Sequence, residues 1–318
     1  MNNNKILNHP HSLDTLEVTS DYFKTKSHET LYNSTIRKHS TISTLVQLID
    51  VSSLEWNKKY WKSYHCKNVL LQDGNKLNGS LCRKRWCQTC NRIKTAEMIK
   101  GYSEPLKELQ KDNDLYFVTL TTKTVKAGKL QSEINKRYKA FTRIKDNLRK
   151  NYGIKLVGAR KLEITYNETT NEYHPHFHFI QQGKHEAEML QKLWLQQFPN
   201  ASIKAQDIRL IDANNSDNLV EIFKYATKQA VKDTATAKAL HNIYTAIDGK
   251  RTFQPYGKLR KVKEPKEVKE DSLNADFIEP NQEIWVYDNI EKDYFNAKDV
   301  KLIGTKEIEQ KIMQEITN

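Results

Sequence analysis

The chain has 318 residues, enough for one large domain or two modest ones, and its 52 Lys and Arg against 39 Asp and Glu give a net charge of +13. The excess is uneven, because residues 264–318 carry 14 acidic and 7 basic residues while residues 1–263 hold a net charge of +20. A basic body with an acidic tail predicts an anionic partner such as nucleic acid. No apolar run reaches the roughly 20 residues of a membrane span, and the N-terminus lacks the apolar segment of a secretory signal. We therefore expect a cytoplasmic protein with no membrane partner and with reduced cysteines.

Four consecutive segments are predicted along the chain. They are a partly ordered N-terminal arm that ends in a short helix (1–55), a cysteine-rich DNA-binding module (56–110), a core (111–263) and an acidic accessory tail (264–318). Within the core, apolar alternation predicts strands and a spacing of three to four residues predicts helices. The predicted strands are 115–122, 157–166, 173–181 and 203–211, the predicted helices are 129–150, 186–198 and 218–233, and 255–261 is a predicted basic loop.

A polar linker at 167–171 predicts a hairpin between the second and third strands. A hairpin makes its two strands antiparallel, so the interleaved strands and helices do not indicate a doubly wound fold. The predicted fold class is α+β, with a central, mainly antiparallel sheet flanked by helices and a small module of zinc-ribbon type around the cysteines.

The third strand has a histidine at every other position, in the run His174-Pro-His-Phe-His178. Successive side chains of a strand point to opposite faces, so the three imidazoles share one face. Alternate residues lie about 6.6 Å apart, which lets neighbouring imidazoles bind one metal ion, whereas the outer two are about 13 Å apart. If the hairpin pairs 160–166 with 174–180, Glu163 faces His176 and His178. Two imidazoles and a carboxylate suit a divalent ion acting as a Lewis acid, with His174 as an alternative ligand.

The predicted helix over 218–233 carries Tyr225 on the side opposite its apolar stripe. Glu221 lies one turn before this tyrosine and Lys228 one turn after it. A phenol beside a lysine and a metal ion can attack a phosphorus centre, and the glutamate can act as a general base. The competing interpretation is structural, since Glu221 also fits the third position of a capping box that begins at Asn218.

Four cysteines fall within 25 residues, at positions 66, 82, 87 and 90. The spacing Cys82-x4-Cys87-x2-Cys90 is typical of a zinc knuckle, with Cys66 as the predicted fourth ligand and His65 as its rival. Basic residues between the ligands, together with Trp86, suggest phosphate contact and base stacking by the same loop. The alternative is a set of buried thiols without a metal.

Taken together, these motifs resemble the HUH endonucleases, and among them the rolling-circle replication initiators of small bacterial plasmids. The segment 117–122 is similar to the first motif strand of that family, His174–His178 to its metal motif, and Tyr225-Ala-Thr-Lys228 to its Tyr-x-x-Lys motif. Glu221 and the cysteine cluster match the branch that pairs a single tyrosine with a glutamate. The resemblance covers about residues 60–260 and assigns residues 111–263 to the HUH endonuclease core, of the ferredoxin-like type.

The resemblance implies a site-specific nicking enzyme that acts at the double-strand origin of a plasmid, where the DNA is single-stranded at the nick. Mg²⁺ or Mn²⁺ held by His176, His178 and Glu163 would polarise the scissile phosphate. Attack by Tyr225 would leave a 5′-phosphotyrosine and a free 3′-OH, and Glu221 would activate the water that ends the round. Because the chain has no P-loop sequence, a host helicase and a host DNA polymerase are the implied partners.

Three alternatives remain open from the sequence. A single-tyrosine transposase or a relaxase would use the same chemistry in another process. A metal-dependent hydrolase would use the histidines without a covalent DNA adduct. A non-catalytic DNA-binding protein would keep only the cysteine module.

Overall fold

The computed structural model describes residues 26–74, 76–215, 223, 231–261 and 283–297. The chain forms two compact units that are discontinuous in sequence. The smaller combines Met1–Ile36, Leu70–Asn78 and Pro280–Asn318, and the larger combines Arg37–Val69 with Gly79–Glu279. Over the described ranges, no helix combines the length and the apolar character needed to cross a bilayer.

The described residues form both helices and strands, which are mixed along the chain. The α-helices are α1 (Lys26–Asp50), α2 (Leu54–Tyr64), α3 (Gln88–Asp112), α4 (Ala127–Asn151), α5 (Lys184–Gln197) and α6 (Thr234–Ala246), with short 3-10 helices at Ile203–Ala205 and Gly257–Lys261. The strands are β1 (Val69–Asp73), β2 (Lys76–Asn78), β3 (Leu115–Leu120), β4 (Gly158–Asn167), β5 (Glu172–Gln182), β6 (Asp207–Ile211), β7 (Phe253–Tyr256), β8 (Glu283–Asp288) and β9 (Asp293–Asn296).

The larger unit is built on a five-stranded sheet with the order β6-β3-β5-β4-β7, in which every neighbouring pair is antiparallel. The long hairpin β4–β5 occupies the middle of this sheet, and β3 lies on the other side of β5. A second sheet, with the order β2-β1-β8-β9, belongs to the smaller unit. The predicted α+β class with an antiparallel sheet and flanking helices is thus confirmed.

The two faces of the five-stranded sheet differ in what covers them. On one face, Phe177 and Phe179 of β5 and Leu162 of β4 are buried in a cluster with apolar residues of α4, α5 and α6. We call this the helix face. The opposite face carries the alternate residues of the same strands, including His176, and we call it the histidine face. Part of the histidine face is covered by apolar residues of α3, which join a second buried cluster.

Pro175 lies within the long strand β5, although proline cannot donate to a ladder of hydrogen bonds. Strand β3 ends at the pair Leu120–Phe177, so at Pro175 only β4 is paired with β5. The amide of Tyr173, which points to the same side, is bonded to the carbonyl of Val125 beyond the end of β3. The missing N–H of Pro175 therefore falls in a gap between strands and costs no sheet hydrogen bond.

The structure differs from the sequence prediction at several boundaries. Helix α1 has 25 residues where a short helix is predicted. The predicted strand 203–211 is a strand only from Asp207, because Ile203–Ala205 forms a 3-10 turn. The predicted basic loop 255–261 includes the end of the edge strand β7, which pairs with β4. Most of the predicted helix 218–233 lies outside the described residues, but its predicted end is wrong, because the Asp233 side chain accepts from the Thr236 amide and caps α6.

Gly158 begins β4 where the backbone of β5 comes close. A Cβ atom at this position would lie 1.9 Å from the carbonyl oxygen of Ile180, which is backbone and cannot give way. We predict that Gly158→Ala lowers the free energy of unfolding by about 2–3 kcal/mol, through overpacking and distortion of the central hairpin.

Urea denaturation followed by circular dichroism measures this loss. The matched control is Gly128→Ala in the first turn of α4, where an added Cβ meets no atom within 4 Å. We expect the control to leave stability unchanged or slightly raised, since alanine favours a helix over glycine. Equal stability of the two variants would contradict the close approach at Gly158.

Candidate functional site

Two histidines and a glutamate come together on the histidine face. The register of the hairpin puts Glu163 of β4 directly opposite His176 of β5, and His178 is the next β5 residue on that face. One potential ligand atom from each of the three lies within 4.8 Å of the other two. Residues that alternate along a strand, or that oppose each other across two strands, are nearest neighbours on one face. The register of the hairpin therefore assembles the group.

Burial and neighbouring charges set the protonation of this group. Glu163 is 4% exposed and His176 is 8% exposed. Burial alone raises the pKa of Glu163, but the hydrogen bond with His178 and the charge of Lys161 outweigh it and hold the pKa at about 2. Burial, with the neighbouring His178, lowers the pKa of His176 to about 4. At neutral pH the carboxylate is ionised and His176 is neutral, as metal binding requires.

Hydrogen bonds on the far side of each imidazole orient it. Nδ1 of His176 lies 2.9 Å from the carbonyl oxygen of His174. A carbonyl only accepts, so Nδ1 carries the proton and Nε2 of His176 keeps a free lone pair. Nδ1 of His178 is 3.1 Å from the Thr119 hydroxyl, while its Nε2 is 3.4 Å from Oε2 of Glu163. Such outer partners fix the orientation of histidine ligands in metal sites.

The third histidine of the run does not join the group. The residues whose ligand atoms converge are Glu163, His176 and His178, and His174 is absent from this set within the described residues. Its ring packs on the ring of His176 at 5.1 Å between centroids. His174 thus contacts the group through its backbone carbonyl and its ring, and its role as an alternative ligand stays a prediction.

Two neighbours of the group were not assigned to the site from the sequence. Thr119 of β3 pairs with His178 in the sheet, and Lys161 of β4 places Nζ 3.5 Å from Oε2 of Glu163 while only 5% exposed. In the sequence, the alternation of side chains along 115–120 and 158–167 puts Thr119 and Lys161 on one face of their strands. Which residues they face there depends on the order of the strands, which the alternation does not give.

The four cysteines form a second group of potential ligands. Sγ of Cys66 lies 3.5 Å from that of Cys90 and 3.6 Å from that of Cys87, and Sγ of Cys82 lies 3.6 Å from that of Cys90. All four are free thiols. Tetrahedral zinc with bonds of about 2.3 Å separates its sulfur ligands by about 3.8 Å, so the spacing fits one ion. Cys66 and His65 were the two candidates for the fourth ligand. Among the described residues, the group of converging ligand atoms includes Cys66 and does not include His65.

The backbone around the thiols also suits charged sulfur. The amide of Cys82 donates to Sγ of Cys66 at 3.4 Å, and the amide of Arg83 donates to Sγ of Cys90 at 3.2 Å. The buried ammonium of Lys38 donates to the carbonyl of Cys66 at 2.8 Å. Burial lowers the pKa of Lys38 to about 8, and the negative charge of the cysteines opposes this decrease. A cation at this position would offset part of the repulsion between thiolates that hold a metal ion.

The structure overturns one expected role in this loop. Trp86, predicted to stack on bases, is only 8% exposed. Its ring packs edge-on against Tyr60 at 4.8 Å and Tyr244 at 5.5 Å, so it belongs to the core of the larger unit. Adjacent Arg85 is turned inward as well, with Nη1 2.8 Å from the carbonyl oxygen of Ile247. The loop is thus fastened to the chain that follows α6.

Three predicted catalytic residues, Tyr225, Glu221 and Lys228, lie outside the described residues. Phe223, between the first two in sequence, is described and is 7% exposed. Its ring stacks on Tyr102 of α3 at 5.6 Å, and its carbonyl accepts from the Thr95 hydroxyl at 3.2 Å. Phe223 belongs to the apolar cluster on the histidine face.

The comparisons with known proteins bear on residues 75–301, which match the model of the family described as "Replication protein". The chain belongs to this replication protein family. It is 30% identical to a Staphylococcus aureus protein named "Protein rep" over 162 residues, which cover 47% of this chain and 70% of the relative. It is 24% identical to a "Protein rep" of Streptococcus pneumoniae (serotype 2, strain D39 / NCTC 7466) over 206 residues, which cover 57% of this chain and 62% of the relative. No solved structure matches significantly. The resemblance to plasmid replication initiators is confirmed at the level of the family.

The geometry predicts which histidines matter for ion binding to this replication protein. Loss of a residue that only orients a ligand typically lowers metal affinity about 10–100-fold. His176→Ala removes a predicted ligand atom itself, so we expect a larger loss of affinity for Mn²⁺. Titration followed by electron paramagnetic resonance of free Mn²⁺ measures the affinity. The matched control is His174→Ala, which keeps the backbone carbonyl bonded to His176 and should bind Mn²⁺ like the wild type. Equal loss in the two variants would contradict the ligand set.

Proposed function

We propose that the chain is a plasmid rolling-circle replication initiator that nicks one DNA strand at the double-strand origin by a metal-dependent HUH mechanism. The observation that carries the proposal is the convergence of Glu163, His176 and His178 in a buried, antiparallel hairpin. Two imidazoles and one carboxylate match the oxygen and nitrogen ligands that Mg²⁺ or Mn²⁺ accepts. An ion bound there would polarise the scissile phosphate and stabilise its developing negative charge.

In this proposal Tyr225 is the nucleophile. Its phenol oxygen attacks phosphorus while the bond from phosphorus to the 3′ oxygen breaks, and the phenol proton is passed to the leaving oxygen through solvent. The products are a 5′-phosphotyrosine and a free 3′-OH. Lys228, one helical turn later, is assigned to neutralise phosphate charge. Glu221 is assigned to take a proton from the water that hydrolyses the second phosphotyrosine at termination.

The position of Phe223 supports this assignment. Phe223 is packed against α3 on the histidine face, which is the face that carries Glu163, His176 and His178. Residue 223 lies two positions before Tyr225 in the sequence. This contact supports a nucleophile segment on the same side of the sheet as the ion.

We also propose that the cysteine cluster binds structural Zn²⁺. The amide-to-sulfur hydrogen bonds and the sulfur spacing support this choice over four uncharged thiols. The cluster encloses the start of α3, because Cys87 precedes the helix and Cys90 lies in its first turn. The same helix carries Thr95 and Tyr102, which contact Phe223. An ion there would stabilise the helix against which the nucleophile segment packs.

The replication protein match favours an initiator over a transposase or a relaxase with the same chemistry. DNA is then the substrate, double-stranded around the origin and single-stranded at the nick. Strand separation and synthesis are left to a host helicase and a host DNA polymerase.

We predict that the wild-type protein with Mn²⁺ forms a covalent adduct with a single-stranded oligonucleotide copied from its origin hairpin. Tyr225→Phe should form no adduct because it lacks the nucleophilic oxygen. Glu221→Ala should still form one but should not release it by hydrolysis. Denaturing gels with a 5′- or 3′-labelled oligonucleotide measure both outcomes.

The matched control is Tyr152→Phe, which removes an exposed phenol at the end of α4 and should react like the wild type. Cleavage without an adduct would support the metal-dependent hydrolase instead. DNA binding with neither cleavage nor adduct would leave a non-catalytic DNA-binding protein.

For the cysteine cluster, we predict about one Zn²⁺ per chain by mass spectrometry of the purified protein. Cys82→Ser should lose this zinc and unfold at a lower temperature, since binding energy of a structural zinc is folding energy. Ser80→Ala is the neighbouring control and should retain the metal. Zinc-free wild-type protein with the melting temperature of the zinc-loaded form would contradict a structural ion.

A further inference from the structure

Helix α4 presents a row of cations along its exposed side. Lys129, Lys136, Arg143 and Lys150 recur at intervals of seven residues and are all exposed. Seven residues are close to two helical turns, with a drift of only about 20° per interval, so the four lie on one side of the helix. From the first to the last, the helix rises about 31 Å. Lys139, also exposed, lies next to this row, and we call the five residues the α4 basic stripe.

Most of this charge is uncompensated. Within the described part of the chain, the stripe contains one ion pair, between Lys136 and Glu133 at 2.5 Å. The lysines of α3 provide a contrast, because Lys107 and Lys111 are each paired with a glutamate three residues earlier, at 2.7 and 2.6 Å. The stripe therefore has a net positive potential where the exposed side of α3 is close to neutral.

A depression lies on the stripe, with an arginine buried below it. An open cavity of about 320 Å³ is lined by Tyr138, Lys139, Thr142 and Arg143. The guanidinium of Arg160 stacks on the Tyr138 ring at 4.2 Å and is only 2% exposed. Its Nη2 donates to Gln254 at 2.9 Å, and its Nε has no hydrogen-bond partner. Over the described ranges no carboxylate pairs with Arg160, so its charge adds to that of the stripe.

The chain after α6 is fastened to the same region. The Tyr138 hydroxyl donates to the carbonyl of Arg251 at 2.9 Å, and Arg85 of the cysteine loop donates to the carbonyls of Ile247 and Lys250. Burial raises the pKa of Tyr138, and the charges of Arg160 and Arg85 oppose the rise. The charges of Arg160 and Arg85 are therefore both felt at Tyr138, which lines the depression.

We propose that the α4 basic stripe binds the phosphate backbone of duplex DNA. The inference rests on the proposed function for its biological setting, and the two fail independently in the experiment below. The stripe is about as long as one turn of duplex DNA, roughly 34 Å. Lysine and arginine contacts to phosphates supply sequence-independent affinity and orient the protein on the duplex.

Two other anionic partners fit the stripe less well. A membrane-surface helix needs an exposed apolar face, but the apolar residues of α4, including Ile134, Phe141 and Leu148, are buried in the core. Single-stranded DNA is bound through aromatic rings that stack on bases, whereas the Tyr138 ring is half-buried and covers Arg160.

The location of the stripe gives the sheet two DNA-binding sides. Helix α4 packs on the helix face through Phe141 and Phe179, while Glu163, His176 and His178 lie on the histidine face. The stem of an origin hairpin would be held through α4, leaving its unpaired segment for the histidine face.

The test uses the full-length protein and the variant Lys139→Ala/Arg143→Ala. Binding to a labelled 30-base-pair duplex of random sequence is measured by fluorescence anisotropy over a series of salt concentrations. We expect the dissociation constant to rise at least about tenfold and the salt slope to fall by about two, because each phosphate contact contributes about 0.9 to the slope. Adduct formation with a single-stranded oligonucleotide that covers only the unpaired segment of the origin, without the stem, should be unchanged.

The control Lys107→Ala/Lys111→Ala removes the same net charge from α3 and should change the duplex affinity and salt slope much less. Equal weakening in both double variants would overturn the proposal in favour of a general effect of net charge. A wild-type salt slope in Lys139→Ala/Arg143→Ala would overturn it as well.

Stripe-dependent binding to phosphatidylserine vesicles with normal duplex binding would reassign the surface to membranes. Failure of the wild type to form an adduct would refute the nicking function and leave the duplex result interpretable.

Discussion

The antiparallel register between β4 and β5 is the constraint on which the rest of the larger unit depends. It opposes Glu163 to His176 and, by alternation, buries Leu162, Phe177 and Phe179 on the other face. A shift of one residue would exchange the two faces, placing the ionisable group in the apolar core. The buried phenylalanines thus hold the ligands in register, since the cost of exposing them resists any slip. Pro175 is compatible with this strand because β3 ends before reaching it.

Helix α3 connects the cysteine cluster with Phe223, the described residue next to the predicted catalytic segment. It begins within the cysteine cluster, and further along it contacts Phe223 through Thr95 and Tyr102. In the proposed mechanism, the cysteine cluster would affect nicking indirectly, by fixing the helix against which Phe223 packs. Arg85 adds a second connection, from the cysteine loop to the chain that follows α6. The cysteine loop is in this way attached to other segments of the larger unit.

Strongly periodic segments could be predicted from the sequence with accurate boundaries. The helix at 129–150, the strands at 157–166 and 173–181 and the hairpin between them were all expected, because the pattern of buried residues has the period of the element. The segments predicted poorly have partners far away in the chain. Residues 253–256 form an edge strand only because β4 is there to pair with it, and Asp233 caps a helix whose apolar side packs on α4. Trp86 looked like a stacking residue because nothing local indicates that Tyr60 and Tyr244 enclose it.

By itself, the sequence determined the pairing of Glu163 with His176, the four thiols and the excess of positive charge, because alternation and ligand spacing are local properties. Only the tertiary structure shows that the His174 carbonyl lies beside Nδ1 of His176, that Thr119 and Lys161 contact His178 and Glu163, and that Cys66 lies with the other three cysteines. Each of these depends on which strand or loop lies beside another. The same holds for the α4 basic stripe, four of whose members recur in the sequence at intervals of seven residues. Among the described residues, most of them have no counter-charge, and Arg160 is buried beneath them. Both facts follow from how α4 packs on the sheet.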